Sequence, residues 1–234
     1  MNQRNQFRTA QRSRGFSTLE LLLVMVITLI IAAFAIPGFN EVKRTLRISG
    51  DARNLNGAIN QAKLQAAADF TDARVQIDLA PHPAYCPQTI TGCTFHVDVW
   101  NKANNCWQVV GDLINPCYAP GRSPVQILSP GVTFGFAGVG APPLNTQAGG
   151  IAQGTGGQRC NPVNGRRVGQ QAATGCIQFN SRGTPIDVNG LPAGNTGAIY
   201  VTDNTQVYGV TVGAAGLSQV WANNIQGNAN WYRK

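Results

Sequence analysis

An α+β fold is predicted: one long N-terminal helix followed by a body of antiparallel β-sheet. Three observations carry this. Residues 16–36 are apolar on every face apart from Glu20. Ala52, Leu55, Ile59, Ala62 and Ala66 then recur at intervals of three and four, the stripe of a helix that packs on something else. After Ala68 the period falls to two, and no strand–helix alternation of the kind that builds a parallel sheet follows.

Taken in order, residues 1–15 are polar and carry Arg4, Arg8, Arg12 and Arg14 with no acid. Residues 16–37 form the next segment. Its apolar part reaches from Phe16 to Ile36, about the 20 residues a helix needs to cross a bilayer. A secretory signal has a shorter core and a small-residue cleavage site after it. Here the chain runs on into Pro37-Gly38-Phe39. Arginines before the span and no basic cluster directly after it place the N-terminus in the cytoplasm. Glu20 is the anomaly, because a carboxylate in lipid is costly and calls for a partner.

Residues 38–70 read as an amphipathic continuation of the helix. A helix from Phe16 to about Ala68 is roughly 80 Å long at 1.5 Å per residue, and Pro37 removes one of its backbone bonds and is expected to bend or open it. Residues 71–234 form the β-rich body. Strands are predicted at 74–79, 94–100, 132–138, 176–180, 198–202, 207–212 and 218–222, with DNTQ (203–206) turning a hairpin. Residues 137–175 hold ten glycines and no acid. A loop this long is either functional or loosely ordered.

The charged fraction is low, at 12%. Net charge is +8, but without residues 1–15 there are 14 basic and 10 acidic side chains, so the total overstates any affinity for nucleic acid. The six cysteines, Cys86, Cys93, Cys106, Cys117, Cys160 and Cys176, lack a C-x-x-C spacing, and only His82 and His96 are available as nitrogen ligands. Beyond a membrane segment this favours disulfides over zinc. Sequence leaves the pairing open; joining neighbours (86–93, 106–117, 160–176) closes the shortest loops. No Gly-x-Ser-x-Gly occurs, and no helix start follows GTGGQR (154–159) to make it a phosphate loop. The chain reads as a non-enzyme with no cofactor and no metal.

The stretch RGFSTLELLLVMVITLIIAAFAIPGF (14–39) resembles the class III signal and first helix of type IV prepilins and type II secretion pseudopilins. The resemblance implies that residues 1–15 are a leader cut on the cytoplasmic side between Gly15 and Phe16. It further implies that Phe16 becomes N-methylated, and that Glu20 and Pro37 serve assembly. Glu20 would pair with the Phe16 amine of its own or a neighbouring subunit, and a head-to-tail contact of that kind builds open helices. Implied partners are a prepilin peptidase, other minor and major pilins or pseudopilins, an inner-membrane assembly platform and the lipid bilayer. The body would be periplasmic and the assembled form a pilus or pseudopilus. DARNLNGAINQAKLQAAADFTDARVQI (51–77), IQFNSRGTP (177–185) and AIYVTDNTQVYGVTVGAAGLSQVW (198–221) are most similar to the GspH/FimT family of minor pilins, which implies a long helix under an antiparallel β-sandwich. The implied role is priming or capping of filament assembly; the alternative is a DNA receptor in natural transformation. In DNA-binding members a Gly-Arg-x-Arg does the gripping, and here that place reads Gly216-Leu217-Ser218-Gln219. Arg166 and Arg167 are the remaining candidates for meeting phosphate or an acidic partner, from what reads as a solvated loop tip.

Overall fold

The computed structural model describes residues 17–80, 92–135, 139, 158–193, 197–224 and 230–234. The helix, α1, spans Thr18–Ala68 and is continuous through position 37. Compact units divide the chain at residue 44: 1–44 and 45–234. In the first, residues 17–36 are exposed along their whole length. This run is the one helix among the described residues long and apolar enough to cross a membrane.

The second unit is α+β. Among the described residues eleven strands follow α1: β1 (Ala73–Asp78), β2 (Thr94–Asn101), β3 (Cys106–Val109), β4 (Gln126–Ile127), β5 (Thr133–Phe134), β6 (Thr174–Phe179), β7 (Pro185–Ile186), β8 (Ala198–Thr202), β9 (Gln206–Val212), β10 (Ser218–Asn224) and β11 (Tyr232–Arg233). They make two antiparallel sheets. One runs β3-β2-β1-β6-β7 with β4 also on β2, and the other runs β11-β10-β9-β8-β5. Six of the seven strands expected from the period-two pattern are present over most of their length; of 132–138 only Thr133–Phe134 is a strand, and residues 136–138 lie outside the described residues. The four that were not expected, β3, β4, β7 and β11, have two to four residues each, too short to show a period.

One apolar core joins helix and sheets. The stripe Ala52, Leu55, Ile59, Ala62 and Ala66, extended back to Ile48, is buried against Val75, Ile77, Phe95, Val97, Ile177 and Phe179 of the first sheet and Ile199, Val201, Val210 and Val212 of the second. Each valine, leucine, isoleucine or phenylalanine side chain removed from water here contributes about 1.5–3 kcal/mol. Phe95 and Phe134, edge to face at 6.4 Å, tie the two sheets together. The hairpin turn is set by Asp203, whose Oδ1 accepts from the Thr205 and Gln206 amides, with Asn204 left-handed at φ 67°. On the far side of the second sheet the Tyr200 ring lies across Gly209, where a Cβ would fall 2.7 Å from the ring.

Candidate functional site

The sequence-predicted assembly residues lie at the start of the chain. Gly15 and Phe16 are outside the described residues. Glu20 sits in the first turn of α1 and is exposed, among Leu19, Leu21, Leu22 and Leu23. A carboxylate in a helix's first turn complements the partial positive charge of that terminus, so its placement is locally consistent. Pro37 lies within α1. On α1, Ala35, Ile36, Phe39 and Val42 line an open apolar notch, and the Lys43 ammonium rests 4.9 Å from the centre of the Phe39 ring.

The body holds a second constellation, on the face of the first sheet turned away from α1. Alternation put Arg74 and Gln76 on one face of β1, His96 and Asp98 on one face of β2, and Gln178 on β6. The register then brings them into rows: Asp98–Arg74–Gln178 and His96–Gln76–Cys176. The pattern reads as a wetted face, yet all of these side chains are buried. The second half of the glycine-rich loop reaches Arg74 and Cys176, and Trp107 and Tyr118 lie against Arg74 and His96. Arg74 Nε donates to Asp98 Oδ2 at 2.9 Å, its Nη1 donates to the Asn161 carbonyl at 2.7 Å, and the guanidinium lies 4.1 Å over the Trp107 ring. His96 Nε2 is 3.2 Å from Asp98 Oδ1 without hydrogen-bond alignment, and its ring stacks on Tyr118 at 4.5 Å. Burial pushes the Asp98 carboxyl up, but His96 and Arg74 together outweigh it and hold it below the ordinary carboxylate range.

The cover is fastened at several points. Cys160 and Cys176 are bonded, as are Cys106 and Cys117. Cys93 is also in a disulfide, while Cys86 lies outside the described residues. Trp107 donates its amide to the Val163 carbonyl and its indole N–H to the Gly165 carbonyl. Asn161 Nδ2 reaches the carbonyls of Gly169 and Val188.

Arg166 and Arg167 do not stand on a freely solvated tip, which corrects the expectation for residues 164–169. Both turn inward to one carboxylate, Asp72, whose side chain is 1% exposed. Arg166 Nε is 2.8 Å from Oδ2, and Arg167 reaches Oδ1 and Oδ2 at 3.2 Å. The acidic group these arginines meet is therefore within the chain. Their side chains remain 36% and 43% exposed.

Sequence reasoning missed Asp72, Arg74 and Asp98. The signal was partial: an arginine and an aspartate stand at polar positions of two predicted strands, whose pairing the sequence did not give. Chemically the cluster is a brace, because its charged pair is wholly enclosed. No three His, Cys, Asp or Glu side chains come together to hold a metal ion among the described residues.

The fold and these sites define an α+β chain whose N-terminal helix is fit to cross a membrane. No family model, curated protein or solved structure matches this chain.

Proposed function

We propose that the chain is a minor pilin or pseudopilin, a non-catalytic subunit of a type IV pilus or a type II secretion pseudopilus that helps prime or cap assembly. The observation that carries this reading is the first half of α1. It is a fully exposed apolar helix whose lone acid before Glu41 is Glu20, and it leads into an α+β body. In this reading the leader is cut after Gly15, Phe16 is methylated, and the span holds the subunit in the inner membrane with its body in the periplasm. Glu20 then selects the register of the next subunit, because its charge is satisfied only by an amine brought alongside.

N-terminal mass spectrometry of the mature chain tests the processing, with a methylated Phe16 as the expected first residue. A chain that keeps residues 1–15 refutes it. Glu20→Ala is expected to leave membrane insertion intact and to lower crosslinking to neighbouring subunits, and undiminished crosslinking removes the assembly role. The DNA-receptor reading has less support, since Arg166 and Arg167 are engaged by Asp72 and the gripping positions hold Leu217 and Gln219.

A further inference from the structure

We infer that the covered face of the first sheet is a binding site for water, about two molecules shared between the sheet and the glycine-rich segment that reaches it. The inference lies outside the assembly reading above and does not rest on it.

The site starts from polar side chains that alternation and register bring together. Arg74 and Gln76 share one face of β1, and β6 sets Gln178 opposite Arg74 and Cys176 opposite Gln76. Directly opposed side chains on one face of an antiparallel pair are neighbours. Asn161 joins this patch from the glycine-rich segment. Its carbonyl accepts from Arg74 Nη1, and the residue before it, Cys160, is bonded to Cys176. Arg74, Gln76, Asn161 and Gln178 are all buried, none more than 2% exposed.

Their hydrogen bonds are incomplete. Arg74 Nε is taken by Asp98 and its Nη1 by the Asn161 carbonyl, while Asn161 Nδ2 reaches the carbonyls of Gly169 and Val188. Five buried atoms have no partner among the described residues: Arg74 Nη2, Gln76 Oε1, Asn161 Oδ1, and both Nε2 and Oε1 of Gln178. A polar group enclosed without a hydrogen bond gives up its hydration and gains nothing in return. Five such groups in one patch would cancel much of the net stability of a domain.

The chemistry of these atoms selects the occupant. Arg74 Nη2 and Gln178 Nε2 donate, and the three oxygens accept. A metal ion suits the oxygens but would stand beside a guanidinium. An anion suits the two donors, but Asp98 already neutralises Arg74 at 2.9 Å, and the three oxygens would repel it. An apolar solute satisfies none of them. What fits is a small neutral molecule that donates and accepts at once, which is water. A buried water makes about three hydrogen bonds, so five open positions call for about two molecules. Because Asn161 belongs to the cover and the other residues to the sheet, the cover is then held through water as well as directly.

The test uses the full chain in detergent, isotope-labelled at its glutamine side-chain nitrogens. Gln178→Met, which keeps the length of the side chain, assigns the Gln178 amide signal by its disappearance. Rotating-frame Overhauser spectra are expected to show that amide in contact with long-lived water, with the sign that separates a bound molecule from chemical exchange. Gln178→Met is also expected to lower the melting temperature by about 2–4 °C, as loss of one net hydrogen bond does in a unit of this length. A dry site predicts the reverse, because the substitution would remove two unpaired buried groups. The inference stands on the contact together with the fall. Absence of bound water beside Gln178, as when its amide turns to bond Arg74 directly, overturns it, and so does a melting temperature that is unchanged or raised.

Discussion

Arg74→Met tests whether the enclosed ion pair holds the loop on the sheet. Arg74 and Asp98 are both fully buried, so the substitution leaves Asp98 enclosed with His96 3.2 Å away, and strips the Asn161 carbonyl of its donor. Breaking a buried pair from one side costs about 3–5 kcal/mol, and the orphaned carbonyl about 1 kcal/mol more. For a unit of this length each kcal/mol lowers the melting temperature by about 2–4 °C, so a fall of roughly 10–20 °C is expected. Arg74→Met with Asp98→Leu removes both charges, and is expected to lie within about 2 kcal/mol of the parent, because an apolar pair needs no partner. Thermal unfolding of the detergent-solubilised chain, followed by circular dichroism and by the fluorescence of Trp107 beneath the guanidinium, measures both. The pH dependence adds a second readout. The folded Asp98 carboxyl lies below its unfolded value. Its contribution is therefore complete above the ordinary carboxylate range and is lost as pH falls through the folded value. The parent weakens in acid while Arg74→Met, whose lone carboxyl can take up a proton, loses less, so the gap between them narrows. A double variant as unstable as the single, or a gap that does not change with pH, refutes the brace.

Cys160→Ser with Cys176→Ser opens a loop of 16 residues and is expected to cost about 3 kcal/mol; non-reducing peptide mapping of the parent checks the bond, and unfolding checks its contribution. Asp51, whose Oδ2 and Oδ1 accept from the Ser129 amide and hydroxyl, is raised by burial against the lowering effect of those bonds. Its charge therefore opposes folding at neutral pH and is relieved as pH falls toward the folded value. Asp51→Leu is expected to cost about 1–3 kcal/mol by stranding the Ser129 amide, and Asp51→Asn much less, with the parent gaining on Asp51→Asn in acid. Asp72→Asn frees Arg166 and Arg167, and is expected to increase retention of duplex DNA at low salt with little left near about 0.15 M; a polarisation titration across salt shows it, and tight binding by the parent at that salt favours the DNA-receptor reading.

The helix and the six longer strands were legible because each buries one apolar stripe against a single core, and a stripe leaves a period. Ala52, Leu55 and Ile59 write one period, and Val75, Ile77, Val97 and Ile177 the other. The same alternation misleads about the opposite face. Arg74, Gln76, His96 and Asp98 carry the signature of residues in water, and they are buried, Arg74 beneath a distant, glycine-rich segment that folds back and His96 against Tyr118. Nothing periodic marks that segment. Its position is set by one disulfide, by carbonyls offered to Arg74 and Trp107, and by two arginines meeting an aspartate more than 90 residues earlier. Such contacts are made one residue at a time and leave no local trace in composition. For the same reason Arg166 and Arg167 could be picked out as unusual but not assigned a partner, since an inward-turning arginine and one waiting for phosphate look alike in sequence. Phe70 is still harder to read. Its oddity lies in a positive φ that only the ended helix imposes, so a residue that looks like ordinary core in the sequence becomes a strained, exposed aromatic once the chain has turned.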